Sequence, residues 1–394
     1  MMKFAVRHNM IYPLQLLIFN FARDTESTLI SKLLKFEGDL IFTPVMFLGE
    51  FFAGLIIFSY QKYFLFKKTG TNKKEEKSSF KVIKLLQRKN NDIDPLDPLI
   101  KIYFLIFTSS FFDFVQFVLS LYTPKFMNIS GSLESRLGGF LTIFDALFYY
   151  YILRFPIFRH QFLSLIVIGI CLLIVIICEF IFQGFNIFLT VGDFILVLVL
   201  SFLRQFSSSM VDSIEKYLFE FNHINPLKIL MFEGLFGFIY TFIYCLVNDP
   251  LEDIRNYQNK NDSSNFILLI FSLILYLILS GLKNSFRVMT TKIYTPMTTT
   301  FLDYILNPFY MIYYFLMDED FIKDGKKNIP HFVINLILTL IISFFGCVYN
   351  EFIILFFCEL EIDTHQQVSQ RASITKEREL DIKEDDDEDE IEES

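Results

Sequence analysis

The sequence predicts an all-α, polytopic transmembrane protein with about ten spans. The chain of 394 residues is 53% hydrophobic and has a mean hydropathy of +0.44, well above that of a soluble chain of this length. Its apolar runs reach the roughly 20 residues that a helix needs to cross about 30 Å of hydrocarbon. Two runs, "FLSLIVIGICLLIVIICEFIF" (162–182) and "VINLILTLIISFFGCVYNEFIILFF" (333–357), carry almost no charge before their ends.

The predicted spans follow from the apolar runs and the polar breaks between them. Charged residues interrupt the first span at Arg23, Asp24 and Glu26. The ten predicted segments are 10–30, 41–63, 99–122, 133–153, 161–182, 188–213, 226–247, 266–287, 294–316 and 331–357.

The orientation follows from the distribution of Lys and Arg. The 64–98 loop is densely basic, which places it in the cytoplasm by the positive-inside rule. Counting spans outward from this loop places both termini in the cytoplasm, and "RVMTTK" (287–292) falls in a cytoplasmic loop. The 248–265 loop then faces the lumen, where its sequon Asn261-Asp262-Ser263 is accessible for glycosylation.

The C-terminal residues 361–394 form an acidic tail that ends in "KEDDDEDEIEES". This tail has no apolar periodicity, and its composition is typical of a disordered segment. It either binds partners or simply keeps the terminus solvated.

Several function classes lack support in the sequence. The five Cys form no CxxC pair and the five His form no HxxxH pattern, so we expect no metal site and no cofactor. No His/Asp or Ser/His cluster indicates an enzyme, and a nucleic-acid partner is not expected. The expected partners are the lipid bilayer and a small-molecule solute, and a homodimer is left open.

Two pairs of segments indicate an internal duplication. "GEFFAGLI" (49–56) and "FEGLFGFI" (232–239) both place a Glu four residues before a Gly. "GFLTIFDALFYY" (139–150) and "TFLDYILNPFYM" (300–311) share Phe-Leu, a nearby Asp and Phe-Tyr. Because each half holds five spans, an odd number, the halves would insert in opposite orientations. The sequence thus predicts two inverted five-helix repeats, residues 1–185 and 186–360.

Glu50 lies in the middle of an apolar segment, and Glu233 is its counterpart in the second half. An ionised side chain at mid-bilayer costs between about 3 and more than 10 kcal/mol, so such a residue normally faces a cavity, has a partner or has a function. Glu50 and Glu233 either hydrogen-bond neighbouring helices or contribute to solute binding or cation coupling. The Gly one turn away, Gly54 or Gly237, allows a neighbouring helix to approach closely.

The order of several short motifs resembles the drug/metabolite transporter superfamily, specifically the EamA-like proteins of solute carrier family 35. These motifs are Gly192-Asp193 and Glu215-Lys216 at the two ends of one span, "NPLKILMFEGLFGF" (225–238), "TTKIYTPMTTTFLD" (290–303) and "VYNEFIILFFC" (348–358); "TESTLISK" (25–32) and "FTPVMFLGEF" (42–51) match less closely. The resemblance covers about residues 10–360.

This resemblance implies ten helices, cytoplasmic termini and an endomembrane location such as the Golgi, a lysosome or a vacuole. The chain departs from the family pattern at Thr299, where the family has Arg, and at Ile214, where it has Glu. The missing Arg weakens the expectation that this region contacts an anionic substrate.

Charged residues within the predicted spans supply the candidate site. The carboxylates at depth are Glu50, Asp113, Asp145, Glu233 and Asp303, whereas mid-span cations are few, chiefly Arg204 and Lys283. An acid-rich midplane suits a cationic or neutral solute, or proton coupling, better than a dianion. The predicted substrate-binding residues are Glu50, Asp113, Glu233, Arg204 and Asp303, with no metal ligand and no catalytic residue.

Three further charged residues lie closer to helix ends than the predicted substrate-binding residues, namely Glu215, Lys216 and Lys283. They are predicted to form a gate or an ordinary ion pair, and for Asp145 and Asp303 a bond to a neighbouring helix remains an alternative role.

These observations predict a secondary-active transporter that moves a small solute or metabolite across an organellar membrane by alternating access. A nucleotide-sugar or nucleotide antiporter is an alternative of the same broad class. A membrane scaffold with a transporter fold is the other alternative, and it would act through the acidic tail or the basic loop.

Overall fold

The computed structural model of the chain contains two compact units. Most of the basic loop 64–98, Asn261 and Asp262 of the sequon, and the acidic tail lie outside the described residues. The described residues are 2–4, 11–34, 36, 39–69, 97–123, 137–155, 157–182, 191–248, 254–255, 257–258, 263–309, 311–312 and 329–355.

Helices account for almost all of the described chain, and each predicted span contains a helix. Within the described residues, ten helices have at least 10 residues. They are α1 (Ile11–Leu33), α2 (Asp39–Thr69), α3 (Asp97–Tyr122), α4 (Gly139–Tyr151), α5 (Arg159–Phe182), α6 (Val191–Glu220), α7 (Pro226–Asn248), α8 (Ser263–Ile293), α9 (Pro296–Ile305) and α10 (Ile329–Tyr349).

Seven helices in the described part are long and apolar enough to cross a membrane: α2, α3, α5, α6, α7, α8 and α10. Large apolar side chains are exposed on them, as on α5, where Ile170, Leu173 and Ile177 are each more than half exposed. Exposed apolar surface of this extent is typical of contact with lipid. These helices fit an integral membrane protein.

The remaining three helices do not meet the length and composition of a span. Helix α1 carries charged residues in its middle, and α4 and α9 have 13 and 10 residues, fewer than the roughly 20 that cross the hydrocarbon. The predictions of ten spans and of two inverted repeats are therefore not confirmed.

The larger of two compact units contains Asn9–Leu153 and Gln183–Leu306, and hence α1–α4 and α6–α9. Within it, α2 packs on α7 and α8, and α3 packs on α6 and α7. Helix α1 packs on α8, while the short α4 contacts α6 and α9.

Two apolar clusters form the core of the larger unit. The first cluster joins α3, α6, α7 and α8 and consists of Ile106, Ile214, Leu218, Phe219, Leu227, Ile229, Leu230 and Val288. The second cluster joins α1, α2 and α8 with the segment between α7 and α8, and it consists of Ile30, Phe36, Ile41, Tyr257, Leu269 and Tyr276. Helix α2 reaches both clusters, because Ile57 and Phe58 pack on the first and Ile41 belongs to the second.

The smaller unit contains Met1–His8, Arg154–Phe182 and Asn307–Ser394. Its described elements are α5, α10 and two short strands, β1 (Met2–Phe4) and β2 (Ile353–Leu355), which pair antiparallel with Met2 opposite Leu355. Helix α10 packs on α5.

The last predicted span ends earlier than the sequence indicates, at Tyr349 instead of residue 357. Glu351 adopts a positive φ of 57° just beyond the helix. The Phe352 N–H donates to the Cys347 carbonyl at 2.9 Å and the Glu351 N–H to the Val348 carbonyl at 3.1 Å. This is a Schellman cap, which satisfies the last carbonyls and turns the chain into β2.

Candidate functional site

Seven charged side chains of the larger unit form a cluster between five of the membrane-length helices, α2, α3, α6, α7 and α8. Charged groups in the middle of a span are costly unless they are paired, so a cluster of this kind marks a candidate site. The charge cluster consists of Glu50, Asp113, Asp212, Glu215, Glu233, Lys283 and Arg287.

Glu50 is held by an amide from the neighbouring helix. Its side chain is 4% exposed, and its Oε1 accepts a short hydrogen bond from Asn284 Nδ2 on α8. Glu50 also interacts electrostatically with Asp113 and Arg287. The carboxylate is thus both bonded to a neighbouring helix and part of a larger charged group.

Glu233 occupies a similar position on α7 and is 3% exposed. Ser109 of α3 donates its hydroxyl to Glu233 Oε1 at 2.6 Å, and Arg287 acts on the same carboxylate electrostatically. Both predicted counterparts, Glu50 and Glu233, therefore lie in one cluster, each with a polar partner on an adjacent helix.

Arg287 is the main cation of the cluster. Its Nη1 donates to Asp212 Oδ1 at 2.7 Å, and its Nη2 donates to Glu215 Oε1. Asp212 and Glu215 are three residues apart on α6 and therefore project from the same face of that helix. Because two of its nitrogens are engaged with protein carboxylates, the guanidinium fixes α8 against α6.

The described members of the cluster include more acids than bases. Asp113 is half-buried on α3 and interacts electrostatically with Arg287 and Lys283. Five carboxyl groups thus face two basic side chains. A cationic ligand or bound protons would offset this imbalance, whereas an anion would increase it.

Glycines bring the helices that carry the cluster into close contact. A Cβ added at Gly54 of α2 would lie 2.8 Å from the Met231 nitrogen of α7, and one added at Gly234 would lie 2.5 Å from the Phe51 nitrogen. Gly237 faces the Phe47 ring just as closely. The predicted close approach at Gly54 and Gly237 is confirmed.

Along α2, the charge cluster lies between the two apolar clusters of the core. At 1.5 Å per residue, Glu50 is about 14 Å from Ile41 in the second apolar cluster and about 10 Å from Ile57 at the first. On α6 and α7, Leu218 and Leu230 of the first cluster each lie three residues from Glu215 and Glu233, respectively. Apolar packing therefore flanks the charged centre in both directions.

Lys216 has different partners from its neighbour Glu215. Its Nζ donates to the carbonyls of Thr291, Lys292 and Tyr294 at 3.1, 3.2 and 2.7 Å, and it pairs with Glu220 at 2.8 Å. The carbonyls of Thr291 and Lys292 belong to the last turn of α8 and that of Tyr294 follows it directly, at the helix end where backbone acceptors lack partners within the helix. Lys216 therefore caps α8, and the predicted gating role for Lys216, Glu215 and Lys283 stays a prediction.

Three other predicted residues, Arg204, Asp145 and Asp303, are not among the seven described members of the charge cluster. Arg204 is half-buried on α6 and, from their separation of eight residues, lies about 12 Å along the helix from Asp212. Asp303 is in α9, but its side chain lies outside the described residues. Asp145 of α4 is bonded to Thr300 of α9.

Sequence reasoning missed Arg287, Asp212, Asn284 and Ser109. The eighth segment was predicted to end at residue 287, and residues 287–292 were placed in a cytoplasmic loop; in fact α8 continues to Ile293. In the sequence, the apolar residues Val288 and Met289 follow the charge directly and could have indicated the longer helix. Nothing in the sequence around Ser109 on α3 and Asp212 on α6 distinguishes these residues from polar residues that only pack between helices.

Comparisons with known proteins found no family model and no curated protein sequence that matches this chain. In the described residues, no group of three or more His, Cys, Asp and Glu side chains has an arrangement that could hold a metal ion. The resemblance to the drug/metabolite transporter superfamily remains a prediction. The charge cluster itself is therefore the feature that bears on function.

Proposed function

We propose that the protein is a secondary-active transporter of a small solute, with the charge cluster as its binding site. The observation that carries the proposal is an acid-rich centre on five helices that are each long enough to cross a membrane. Intramembrane carboxylates are costly, and substrate pathways and proton relays are the common reasons for keeping them.

A cationic or neutral solute, or proton coupling, suits the cluster best. Recognition of phosphate favours an arginine whose N–H groups are available to bind two oxygens at once. Arg287 instead uses two of its nitrogens on Asp212 and Glu215. A nucleotide-sugar or nucleotide antiporter, the alternative that the family resemblance suggests, would have to release Arg287 from these carboxylates.

Alternating access is supported by the position of the cluster. Apolar side chains pack against α2 on both sides of Glu50. Access to the charge cluster could therefore be closed by apolar packing on one side while it opens on the other. The resemblance to the transporter superfamily and the paired segments of the two halves support the same mechanism. An endomembrane location and cytoplasmic termini belong to this proposal.

The first test identifies the solute by its effect on thermal stability. The purified protein in detergent is heated with nucleotide sugars, nucleotides, amines or amino acids at several pH values. A ligand present at about a hundred times its dissociation constant adds about 2.7 kcal/mol to the stability of the folded state. Stabilisation by an amine or a neutral solute supports the acidic site, whereas stabilisation by nucleotides alone favours the antiporter.

The second test measures uptake of the stabilising solute into proteoliposomes. Glu50→Gln and Glu233→Gln should each abolish uptake, because the neutral amide keeps the size of the side chain and removes its charge. Glu26→Gln, on α1 outside the cluster, is the matched control and should transport normally. Uptake that persists in Glu50→Gln while the protein yield falls would show that this carboxylate is structural.

A further inference from the structure

Another buried carboxylate, which is not among the seven members of the charge cluster, lies where α4, α6 and α9 meet. Asp145 of α4 is 1% exposed. Its Oδ2 accepts a hydrogen bond of 2.7 Å from the Thr300 hydroxyl of α9. Its Oδ1 is buried and has no hydrogen-bond partner among the described residues. Leaving a buried polar atom unsatisfied costs about 1–3 kcal/mol, and more for a charged group.

Ser209 of α6 places a second unsatisfied oxygen at the same position. It is 0% exposed, and within the described residues its hydroxyl makes no hydrogen bond of ordinary distance and angle. It nevertheless interacts with the Asp145 carboxylate, as a long or poorly aligned contact.

Among the described residues, the Ser209 hydroxyl also donates no hydrogen bond to a backbone carbonyl of α6. Elsewhere in the chain, Ser164, Thr241 and Ser285 each donate to the carbonyl four residues earlier, which is the ordinary solution for a buried hydroxyl in a helix. Asp145 Oδ1 and Ser209 Oγ are thus two neighbouring buried oxygens for which the described residues provide no hydrogen bond of ordinary geometry.

The charge of Asp145 is also uncompensated within the described part of the chain. Its interactions there are with two hydroxyl groups, those of Thr300 and Ser209, and none is with a basic side chain. Burying an isolated carboxylate is very costly, so the group requires a counterion or a proton.

We propose that Asp145 Oδ1 and Ser209 Oγ are ligands of a bound monovalent cation of the sodium class. Oxygen donors suit such a hard cation. A single carboxylate balances a single positive charge, whereas sites for divalent cations usually collect several carboxylates. Thr300 is a positioning residue, because its hydrogen bond to Oδ2 orients the carboxylate.

The site is close enough to the charge cluster for the two to influence each other. Ser209 precedes Asp212 by three residues on α6, a rise of about 4.5 Å. Asp212 is bonded to Arg287 in the charge cluster. A cation bound at Ser209 would therefore act on the same turn of α6 that holds Arg287, which provides a direct physical path for ion coupling.

The test measures binding of radioactive sodium to the purified, full-length protein in detergent, with N-methylglucamine chloride to keep the ionic strength constant. We expect saturable binding in the unaltered protein and none in Asp145→Asn. Ser209→Ala should weaken binding about tenfold, which corresponds to about 1.4 kcal/mol. Thr300→Val should weaken it too, whereas Thr300→Ser, which keeps the hydroxyl, should restore it.

Ser201→Ala is the matched control, because Ser201 is also buried on α6 without a hydrogen bond among the described residues but, unlike Ser209, is not among the groups that interact with Asp145. It should bind sodium normally. The absence of saturable binding in the unaltered protein, or unchanged binding in a folded Asp145→Asn, would overturn the proposal. If Asp145→Asn fails to fold, unchanged binding in Ser209→Ala would overturn it instead.

The sodium site and the transport proposal fail separately. Glu50→Gln should lose uptake and keep sodium binding, because Glu50 is not a ligand of the cation. Loss of sodium binding in Asp145→Asn tests the cation site whether or not a solute has been identified.

Discussion

The guanidinium of Arg287 binds two buried carboxylates of the charge cluster. It joins Asp212 at 2.7 Å and Glu215 through separate nitrogens, and the side chains of these two acids are 7% and 0% exposed. Such a group is costly to assemble, since both charges of each pair leave water. Once the group has formed, removing only the Arg287 charge costs more than removing the whole group, because the carboxylates then stay buried without a partner.

Arg287→Met should therefore lower the free energy of unfolding by about 3–5 kcal/mol, the usual penalty for removing one partner of a buried ion pair. The triple variant Asp212→Asn, Glu215→Gln, Arg287→Met should lose much less, because it removes the stranded charges as well. Unfolding by SDS in mixed micelles measures both variants. Equal losses in the single and the triple variant would show that Arg287 contributes by packing and not by charge.

Lys216 illustrates a different use of a buried cation. It binds three carbonyls at the end of α8 and one carboxylate, so its charge offsets the partial negative charge of that helix end. Glu215, the preceding residue, bonds Arg287. Two adjacent residues of α6 thus fix α8 at two points, one through a side chain and one through the backbone.

At the scale of the helices, the contact between α2 and α7 sets the geometry of the charge cluster. Small residues let two helix backbones approach, which is the usual basis of close helix packing in membranes. Gly234 is the residue next to Glu233, and Glu50 Cβ lies 3.0 Å from the position that a Gly234 Cβ would take. The spacing of the two carboxylates therefore depends directly on this crossing.

Gly234→Ala should destabilise the protein by about 1–3 kcal/mol, because the added methyl group would meet the backbone of α2. It should also reduce solute uptake, since α2 and α7 would have to separate at the cluster. Gly192→Ala, at an exposed glycine in α6, is the matched control and should leave stability and uptake unchanged. Normal stability in Gly234→Ala would show that the crossing has room for a side chain.

The helices and the acidic residues were accessible from the sequence, whereas the pairing between them was not. Long apolar runs mark membrane-length helices because lipid demands both the length and the composition. Glu50 and Glu233 are conspicuous as charges within such runs, and Gly54 and Gly237 indicate close packing. The partners Asn284, Ser109 and Arg287 depend on how helices rotate against one another, which the apolar pattern of a membrane protein determines only weakly.

At the scale of the whole chain, the described residues belong to two compact units. The larger unit holds the charge cluster and the Asp145 site. In the smaller unit, α5 and α10 pack together, and buried His160 lies 3.5 Å from Glu351 at the turn that ends α10. The buried charged groups on which the transport proposal depends all belong to the larger unit.

Removal of residues 361–394 separates a transporter from a scaffold. If the chain functions through the charge cluster, the truncated protein should transport the solute at the rate of the full-length chain, because the seven described members of that cluster all lie between residues 50 and 287. A scaffold that acts through the tail would lose its function on truncation, whereas Glu50→Gln would leave that function intact. Uptake into proteoliposomes, compared at equal amounts of reconstituted protein, makes the measurement. A truncated protein that reconstitutes normally but no longer transports would show that transport requires the tail, and it would contradict a mechanism confined to the helices.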